Sequence, residues 1–195
     1  PLHGVIVEEV VLGAGHQVVV LDTLGVPITG VGVQHWRACD RVGHGPVVAV
    51  DARPSEVIGT RTGGNMSTAQ IIVSSHELIP RLQAEAERAA RDMGFTPTRE
   101  AAQGRPSLTL ELASLHYGRG DSGQPLIDEA RIEGVFRAIA QNQGTTYTGT
   151  YTSRRTQGYA LKPGEDANTR MLNDLLSDGL NRAFSDPELG RLLAR

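Results

Sequence analysis

The sequence predicts an α+β fold, in which two main helices pack on one face of an antiparallel β-sheet and a β-rich segment precedes them. Three patterns predict this class. Apolar residues alternate with a period of two over residues 107–153, as in strands with one buried face. Two other segments repeat apolar residues with a period of 3.6, as in amphipathic helices, and the first 45 residues are rich in Val.

The amino-terminal part is predicted to form a β-rich segment or arm over residues 1–45, followed by an α+β domain over residues 46–195. Its Val- and Ile-rich runs are separated by glycine-containing turns. Gly13-Ala14-Gly15 does not fit a dinucleotide-binding loop, because no third glycine follows at the required spacing and a strand comes next instead of a helix. We therefore expect no cofactor.

The strands of the larger domain are predicted from β-branched runs and turn residues. The phase of the apolar residues changes after Leu112, which predicts a β-bulge near Ala113 and Ser114. The predicted strands are, in order, residues 47–51, a hairpin over 56–73, the alternating segment from 107, the longest strand over 130–141 and, after a turn at 142–144, a returning strand over 145–153.

The first helix is predicted to begin near Ser74, which has capping-box spacing to Glu77, and to end at Gly94. Pro80 conflicts with this start because it would lose a hydrogen bond beyond the first turn, so either the helix begins later or its first turn is irregular. The second helix carries an apolar stripe through residues 172–183. A capping box at residues 185–188 opens a short third helix.

Composition excludes several classes of function. The chain of 195 residues has 19 Lys and Arg against 22 Asp and Glu, a formal net charge of −3, so a basic nucleic-acid-binding surface is not expected. Aromatic residues make up only 4%, too few for extended stacking platforms. Of these, Tyr147 and Tyr151 share one strand face, and packing beneath the sheet is favoured over an exposed aromatic pair for a ligand.

No metal site and no lipid attachment site is predicted. Cys39 is the single cysteine, which excludes an internal disulfide and a cysteine-based zinc site, and the six histidines show no helical ligand spacing. Acylation of Cys39 is disfavoured, because Trp36-Arg37-Ala38 places a bulky aromatic and a charge where a lipoprotein signal has small apolar residues.

No catalytic constellation is predicted, and we expect a protein that is not an enzyme. Gly120-Asp121-Ser122-Gly123 is one residue short of a nucleophile elbow and joins two strands instead of a strand and a helix. A small hydrolase that uses Ser122 with a distant histidine such as His116 is retained as an alternative.

Five charged residues are candidates for partner binding. Asp51 and Arg53 stand two apart, so they project from one strand face and could meet Arg61 or Glu56 across a hairpin, either as a structural ion pair or as a partner-binding edge. Arg131 and Arg137 lie on the polar face of the longest strand, where a partner could bind.

Six different segments follow one another along the larger domain in a characteristic order. They are Val48-Ala49-Val50-Asp51-Ala52-Arg53-Pro54, Ile58-Gly59-Thr60-Arg61, Leu78-Ile79-Pro80-Arg81-Leu82, Met93-Gly94-Phe95-Thr96-Pro97, the strand over residues 130–136, and Leu175-Leu176-Ser177-Asp178 leading to Asp186-Pro187. In this order and spacing, residues 47–195 resemble the YajG-like bacterial lipoproteins, whereas residues 1–45 do not match that family.

The resemblance implies an envelope lipoprotein on the periplasmic side of the outer membrane, with no known enzyme activity. It implies membrane contact only through a lipid anchor outside this chain. We therefore expect a non-enzymatic binding or accessory module whose partner is an envelope protein or a cell-wall component. The alternative is a structural role, in which residues 1–45 add strands to a neighbouring copy and form a homo-oligomer.

Overall fold

The computed structural model describes residues 10–12, 16–20, 43–62, 68–100, 104–120, 128–159 and 165–194. Cys39 and Ser122 therefore lie outside the described residues. The elements are β1 (Val10–Leu12), β2 (His16–Val20), β3 (His44–Asp51), β4 (Val57–Thr62), β5 (Thr68–Ile72), α1 (Ser75–Asp92), β6 (Thr96–Thr98), β7 (Ser107–Gly120), β8 (Asp128–Asn142), β9 (Thr145–Tyr159), α2 (Glu165–Phe184) and α3 (Pro187–Leu193). These helices and strands confirm the predicted α+β class.

The main sheet has five strands in the order β6-β3-β7-β8-β9. Strands β7, β8 and β9 are antiparallel as predicted, with the expected bulge between Leu112 and Ser114. The sheet is nevertheless mixed, because β3 runs parallel to both β6 and β7. The chain returns from β3 to these strands through α1, and a crossover helix of this kind produces parallel neighbours.

A second sheet has the order β1-β2-β5-β4. The predicted hairpin over residues 56–73 is present as the antiparallel pair β4–β5. Strand β2, from the amino-terminal segment, pairs parallel with β5 of the same chain. Strand addition by residues 1–45 to a neighbouring copy stays a prediction, as does the division into two units at residue 45.

The helices pack on one face of the main sheet, α1 against β3, α2 against β8 and β9, and α3 against β8. Alternate residues of β8, from Ala130 to Ala140, are buried beneath them. Helix α2 lies close to the sheet at Gly179, where a Cβ atom would overlap the Phe136 ring. No helix within the described ranges is both long and apolar enough to cross a bilayer.

The helix starts differ in detail from the predicted capping boxes. Helix α1 begins at Ser75 and continues through Pro80, but the Ser74 side chain makes no capping hydrogen bond. Instead, the Ser75 N–H donates to the Glu56 carboxylate at 2.6 Å. Helix α3 is capped by Asp186, whose Oδ1 accepts from the Glu188 N–H at 2.9 Å. Pro187 follows at the first helical position, where its missing N–H costs no hydrogen bond.

Candidate functional site

The face of the main sheet that turns away from α1, α2 and α3 is the candidate site. It is formed by alternate residues of four neighbouring strands, so the strand register aligns their side chains in rows across the sheet. One row is Val48, Thr109, Ile139 and Thr148, and the next is Val50, Glu111, Arg137 and Thr150. These eight residues and Val135 are called the open face.

The open face has an apolar part at β3. Val48 is 44% exposed and Val50 is 37% exposed, and they are the exposed large hydrophobic residues of the described chain. Ile139 and Val135 on β8 are half-buried on the same face. Valine is expected in a strand, but both faces of β3 carry valine, and helices cover only one of them. An apolar surface that a domain leaves uncovered in this way is typical of a binding surface.

Paired charges and threonines surround this apolar part. Arg137 Nη2 lies 2.8 Å from Glu111 Oε2, and Arg154 Nε donates to Glu133 Oε2 at 2.7 Å, each across a strand pair. Arg131 is exposed on the same face of β8. Two of the predicted partner-binding residues, Arg131 and Arg137, therefore lie on this face, six residues apart along β8, and their role in binding stays a prediction.

A polar cleft of about 490 Å³ extends the open face at the β8–β9 turn. Arg105, Ser107, Gln141, Thr145 and Thr146 contribute to its lining. The turn residues that close the cleft are Gln143 and Gly144, which have positive φ values of 48° and 79°. The open face thus ends in a concave polar rim.

Asp51 and Arg53 lie elsewhere, at the end of β3, and bind each other. Arg53 Nε donates to Asp51 Oδ1 at 2.8 Å and Nη2 donates to Oδ2 at 2.6 Å, with side-chain exposures of 1% for Arg53 and 11% for Asp51. The same guanidinium donates to the Val73 carbonyl at 3.0 Å, and the Ser75 hydroxyl donates to Asp51 Oδ2. The pair joins the ends of β3 and β5 to the start of α1.

This geometry makes the Asp51–Arg53 pair a buried structural ion pair that connects β3, β5 and α1. Burial raises the pKa of Asp51, but the hydrogen bonds from Arg53 and Ser75 lower it by more, so the pKa lies below its ordinary value. Partner contact through these two residues would require the pair to open. Arg61 is placed opposite Ala69 in the β4–β5 pair, so the structure does not bring it to Asp51 by strand pairing. Binding by these three residues stays a prediction.

Tyr147 and Tyr151 lie on the helix side of β9, which agrees with packing beneath the sheet. Both hydroxyls donate to Asp186 Oδ2, at 2.7 Å and 2.6 Å. Burial raises the pKa of Asp186, but the hydrogen bonds from Tyr151 and Tyr147 lower it by more. The pKa of Asp186 therefore lies below its ordinary value, and the carboxylate form is favoured. Burial, followed by the bond to Asp186, raises the pKa of Tyr151. The tyrosines therefore hold the start of α3 against β9.

Sequence reasoning missed a buried polar row on α2. Thr169, Asn173 and Ser177 are all buried, and neither side-chain polar atom of Asn173 has a hydrogen-bond partner within the described structure. The available signal was the spacing of four residues between polar side chains in an otherwise apolar helix.

His116, the proposed hydrolase histidine, is exposed on β7 opposite Glu133. The described residues contain no group of three or more His, Cys, Asp or Glu side chains that could hold a metal.

The chain is similar to one protein family and to several solved structures. A family described as an uncharacterised lipoprotein matches residues 44–194. Among solved structures, protein XCC0632 from Xanthomonas campestris is 17% identical, with 80% of this chain and 90% of that chain covered and a TM-score of 0.48. Rare lipoprotein B from Shewanella oneidensis is 11% identical, with 76% and 98% covered and a TM-score of 0.41.

A third similar structure is a dodecamer of PelC from Paraburkholderia phytofirmans, which is 14% identical, with 76% of this chain and 95% of that chain covered and a TM-score of 0.33. No curated protein matches the sequence.

Proposed function

Because this chain belongs to a family of uncharacterised lipoproteins that matches residues 44–194, we propose that it is a non-enzymatic accessory module that binds an envelope protein on the open face. The family match confirms the resemblance to bacterial lipoproteins and associates the chain with the bacterial envelope. The periplasmic side of the outer membrane and the absence of an activity are parts of the proposal. The observation that carries it is the exposure of Val48 and Val50 on a sheet face that none of the described helices covers.

The arrangement of the open face favours a protein partner over a glycan. Protein interfaces combine apolar contacts with polar ones, and here Val48 and Val50 at the β3 end of the face adjoin Thr109 and the Glu111–Arg137 pair. Glycan sites commonly use exposed aromatic rings. In the described strands the tyrosines pack against the helix-side core instead. A cell-wall component is therefore the weaker alternative.

The exposure of the two valines also matters energetically. A β-branched side chain on a strand has few rotamers, so fixing it in an interface loses little conformational entropy. Removing apolar surface from water contributes about 25 cal/mol per Å² before other costs. A partner that covers both valines would gain binding energy at the β3 end of the face, and the neighbouring Glu111–Arg137 pair would set its orientation.

Site-specific photo-crosslinking in bacterial cells tests this proposal. A photoreactive phenylalanine analogue at Val50 is expected to form an adduct with one envelope protein, identified by mass spectrometry. The matched control carries the analogue at Asp174, which is exposed on α2 on the other side of the sheet. A Val48→Lys change in the Val50 probe chain is expected to reduce the adduct about tenfold, since loss of a central contact commonly costs more than 1 kcal/mol.

Three results would overturn the proposal. Equal adducts from the Val50 and Asp174 probes would show that the open face is not the binding surface. An adduct of glycan composition would replace the protein partner with a cell-wall component. The absence of any adduct at Val50, with the protein present in the envelope and folded, would remove the docking function.

A further inference from the structure

We propose that two copies of this chain associate through their β9 strands, which pair antiparallel around Thr150 and join two five-stranded sheets into one continuous sheet. This surface is the outer edge of β9, which borders the open face and shares Thr148 and Thr150 with it. The proposed function is tested by an adduct at Val50 on β3 and this inference by self-association, so the two can fail independently. The second copy would lie beside β9 with its helices on the same side.

The first observation is that β9 is a long edge strand. Its 15 residues pair with β8 along their whole length without a bulge, from Thr145 opposite Asn142 to Tyr159 opposite Asp128. In the described part of the chain, no strand pairs with its other side. An edge of this length presents a row of unpaired N–H and C=O groups to solvent.

The hairpin identifies which backbone groups point outward. Gln143 and Gly144 form a two-residue turn with positive φ, so the flanking residues Asn142 and Thr145 exchange hydrogen bonds. Because hydrogen-bonded and non-hydrogen-bonded pairs alternate in an antiparallel ladder, the even-numbered residues of β9 direct both backbone groups away from β8. Thr146, Thr148, Thr150, Thr152 and Arg154 are these residues, and all five are exposed.

Charged side chains, prolines, bulges and covering segments are the usual protection of a sheet edge. Residues 145–153 contain only Thr, Tyr, Gly and Ser, without a charge or a proline, and no described strand covers this edge. Threonine and tyrosine also have a high preference for strands. Pairing centred on Thr150 places residues 147–153 of the two copies opposite each other, and this uncharged part of β9 is suited to strand pairing.

Register favours a second copy as the occupant. With Thr150 on the two-fold axis, Thr148 of one copy lies opposite Thr152 of the other, and Thr146 lies opposite Arg154. The outward-facing residues of each copy are all even-numbered, so this register matches hydrogen-bonding groups of one copy to those of the other. Cross-strand threonine pairs are favourable, and the arginines do not face each other.

The charged side chains at the far end of β9 are paired within each copy, Arg154 with Glu133 and Arg155 with Asp178. Antiparallel pairing of two copies therefore brings no unpaired like charges of these arginines together.

Light scattering and sedimentation velocity on the full chain test this inference, with a pair of charge variants. In the Thr148→Lys, Thr152→Lys variant, lysines of the two copies face each other, and the dimer dissociation constant is expected to rise at least tenfold. In the matched Thr148→Lys, Thr152→Glu variant, each lysine faces a glutamate of the second copy, and dimerisation is expected to return to near the parent value. Thermal unfolding checks that both variants are folded.

A disulfide provides a second measurement of the register. In a Cys39→Ser chain, Thr150→Cys is expected to form an intermolecular disulfide on oxidation, because the two Cα atoms of a directly opposed pair lie about 5.5 Å apart. Thr146→Cys lies opposite Arg154 and is expected to form none.

A monomeric parent chain, or an oligomer equally stable in both charge variants, would overturn the inference. So would efficient disulfide formation by both cysteine variants.

Discussion

The two edges of the main sheet are protected to different degrees. Strand β3 pairs with β6 over residues 44–46. After Pro46, the side-chain amide of Gln83 takes the place of a neighbouring strand. Its Oε1 accepts from the Ala49 N–H and its Nε2 donates to the Val47 carbonyl, both at 2.7 Å. Strand β9 has no such cover in the described part of the chain.

This difference shows how one side chain can close a sheet. A carboxamide has a donor and an acceptor with the same geometry as a peptide group, so Gln83 satisfies two edge groups without adding a strand. The closed edge carries the exposed Val48 and Val50, where strand addition by the wrong protein would lead to aggregation. The open edge carries threonines, which are compatible with a specific pairing.

The largest expected effect comes from breaking the connection that holds the end of β3. Arg53→Met leaves the Asp51 carboxylate buried without its cation, so the free energy of unfolding should fall by about 3–5 kcal/mol. Urea denaturation measures the loss. The control is Arg154→Met, which removes an exposed pair with Glu133 and should cost less than about 1 kcal/mol. Equal losses in the two variants would contradict the buried connection.

The Asp51–Arg53 pair also predicts that stability depends on pH. The pKa of Asp51 is lower in the folded chain than in the unfolded chain, so its contribution to stability is complete above the unfolded value of about 3.9 and is lost as pH falls through the folded value. The difference in stability between the parent chain and Arg53→Met should therefore shrink below about pH 4. Thermal unfolding across pH 2–7 checks this, and a constant difference would exclude Asp51 as the cause.

The next effect comes from opening the closed edge. Gln83→Ala leaves the Ala49 N–H and the Val47 carbonyl without partners, which should lower the free energy of unfolding by about 1–3 kcal/mol. The variant should also associate at concentrations where the parent does not aggregate, measured by light scattering. The hydrogen bond from Gln83 is the main cause of the lowered pKa of Glu87, so NMR titration should show that pKa rising.

Glu85→Ala is the control for the closed edge. It lies on the same helix and loses only its contact with Arg88. It should change stability by less than about 0.5 kcal/mol and should leave association unchanged. Association of both variants to the same extent would show that the amide of Gln83 does not protect β3.

The smallest effect concerns the support of the open edge. Asp186→Ala removes the cap of α3 and the acceptor for Tyr147 and Tyr151, and should cost about 0.5–2 kcal/mol in unfolding free energy. Hydrogen exchange should show faster opening of β9 than in the parent chain. Glu188→Ala, whose side chain contacts Arg191 on the surface, is the control and should change neither quantity appreciably.

Much of the fold could be predicted because its signals are local. The change of phase after Leu112 located the bulge, and Gly94, whose φ is 87°, follows the end of α1 as expected. Of the candidate site, Arg131 and Arg137 were placed on the polar face of β8 by alternation alone. The exposure of Val48 and Val50 could not be predicted, because an apolar run in a strand does not show which of its faces is covered.

The sequence by itself determined the α+β class, the extent of α1 and the strand alternation of β7 to β9, since each depends on residues a few positions apart. Only the tertiary structure decided that β3 is parallel, that Arg53 is buried on Asp51 and that Gln83 closes one edge while β9 leaves the other open. Gln83 and Ala49 are 34 residues apart. Contacts over such separations depend on how the helices and strands pack against one another, and a periodic sequence pattern does not specify that packing.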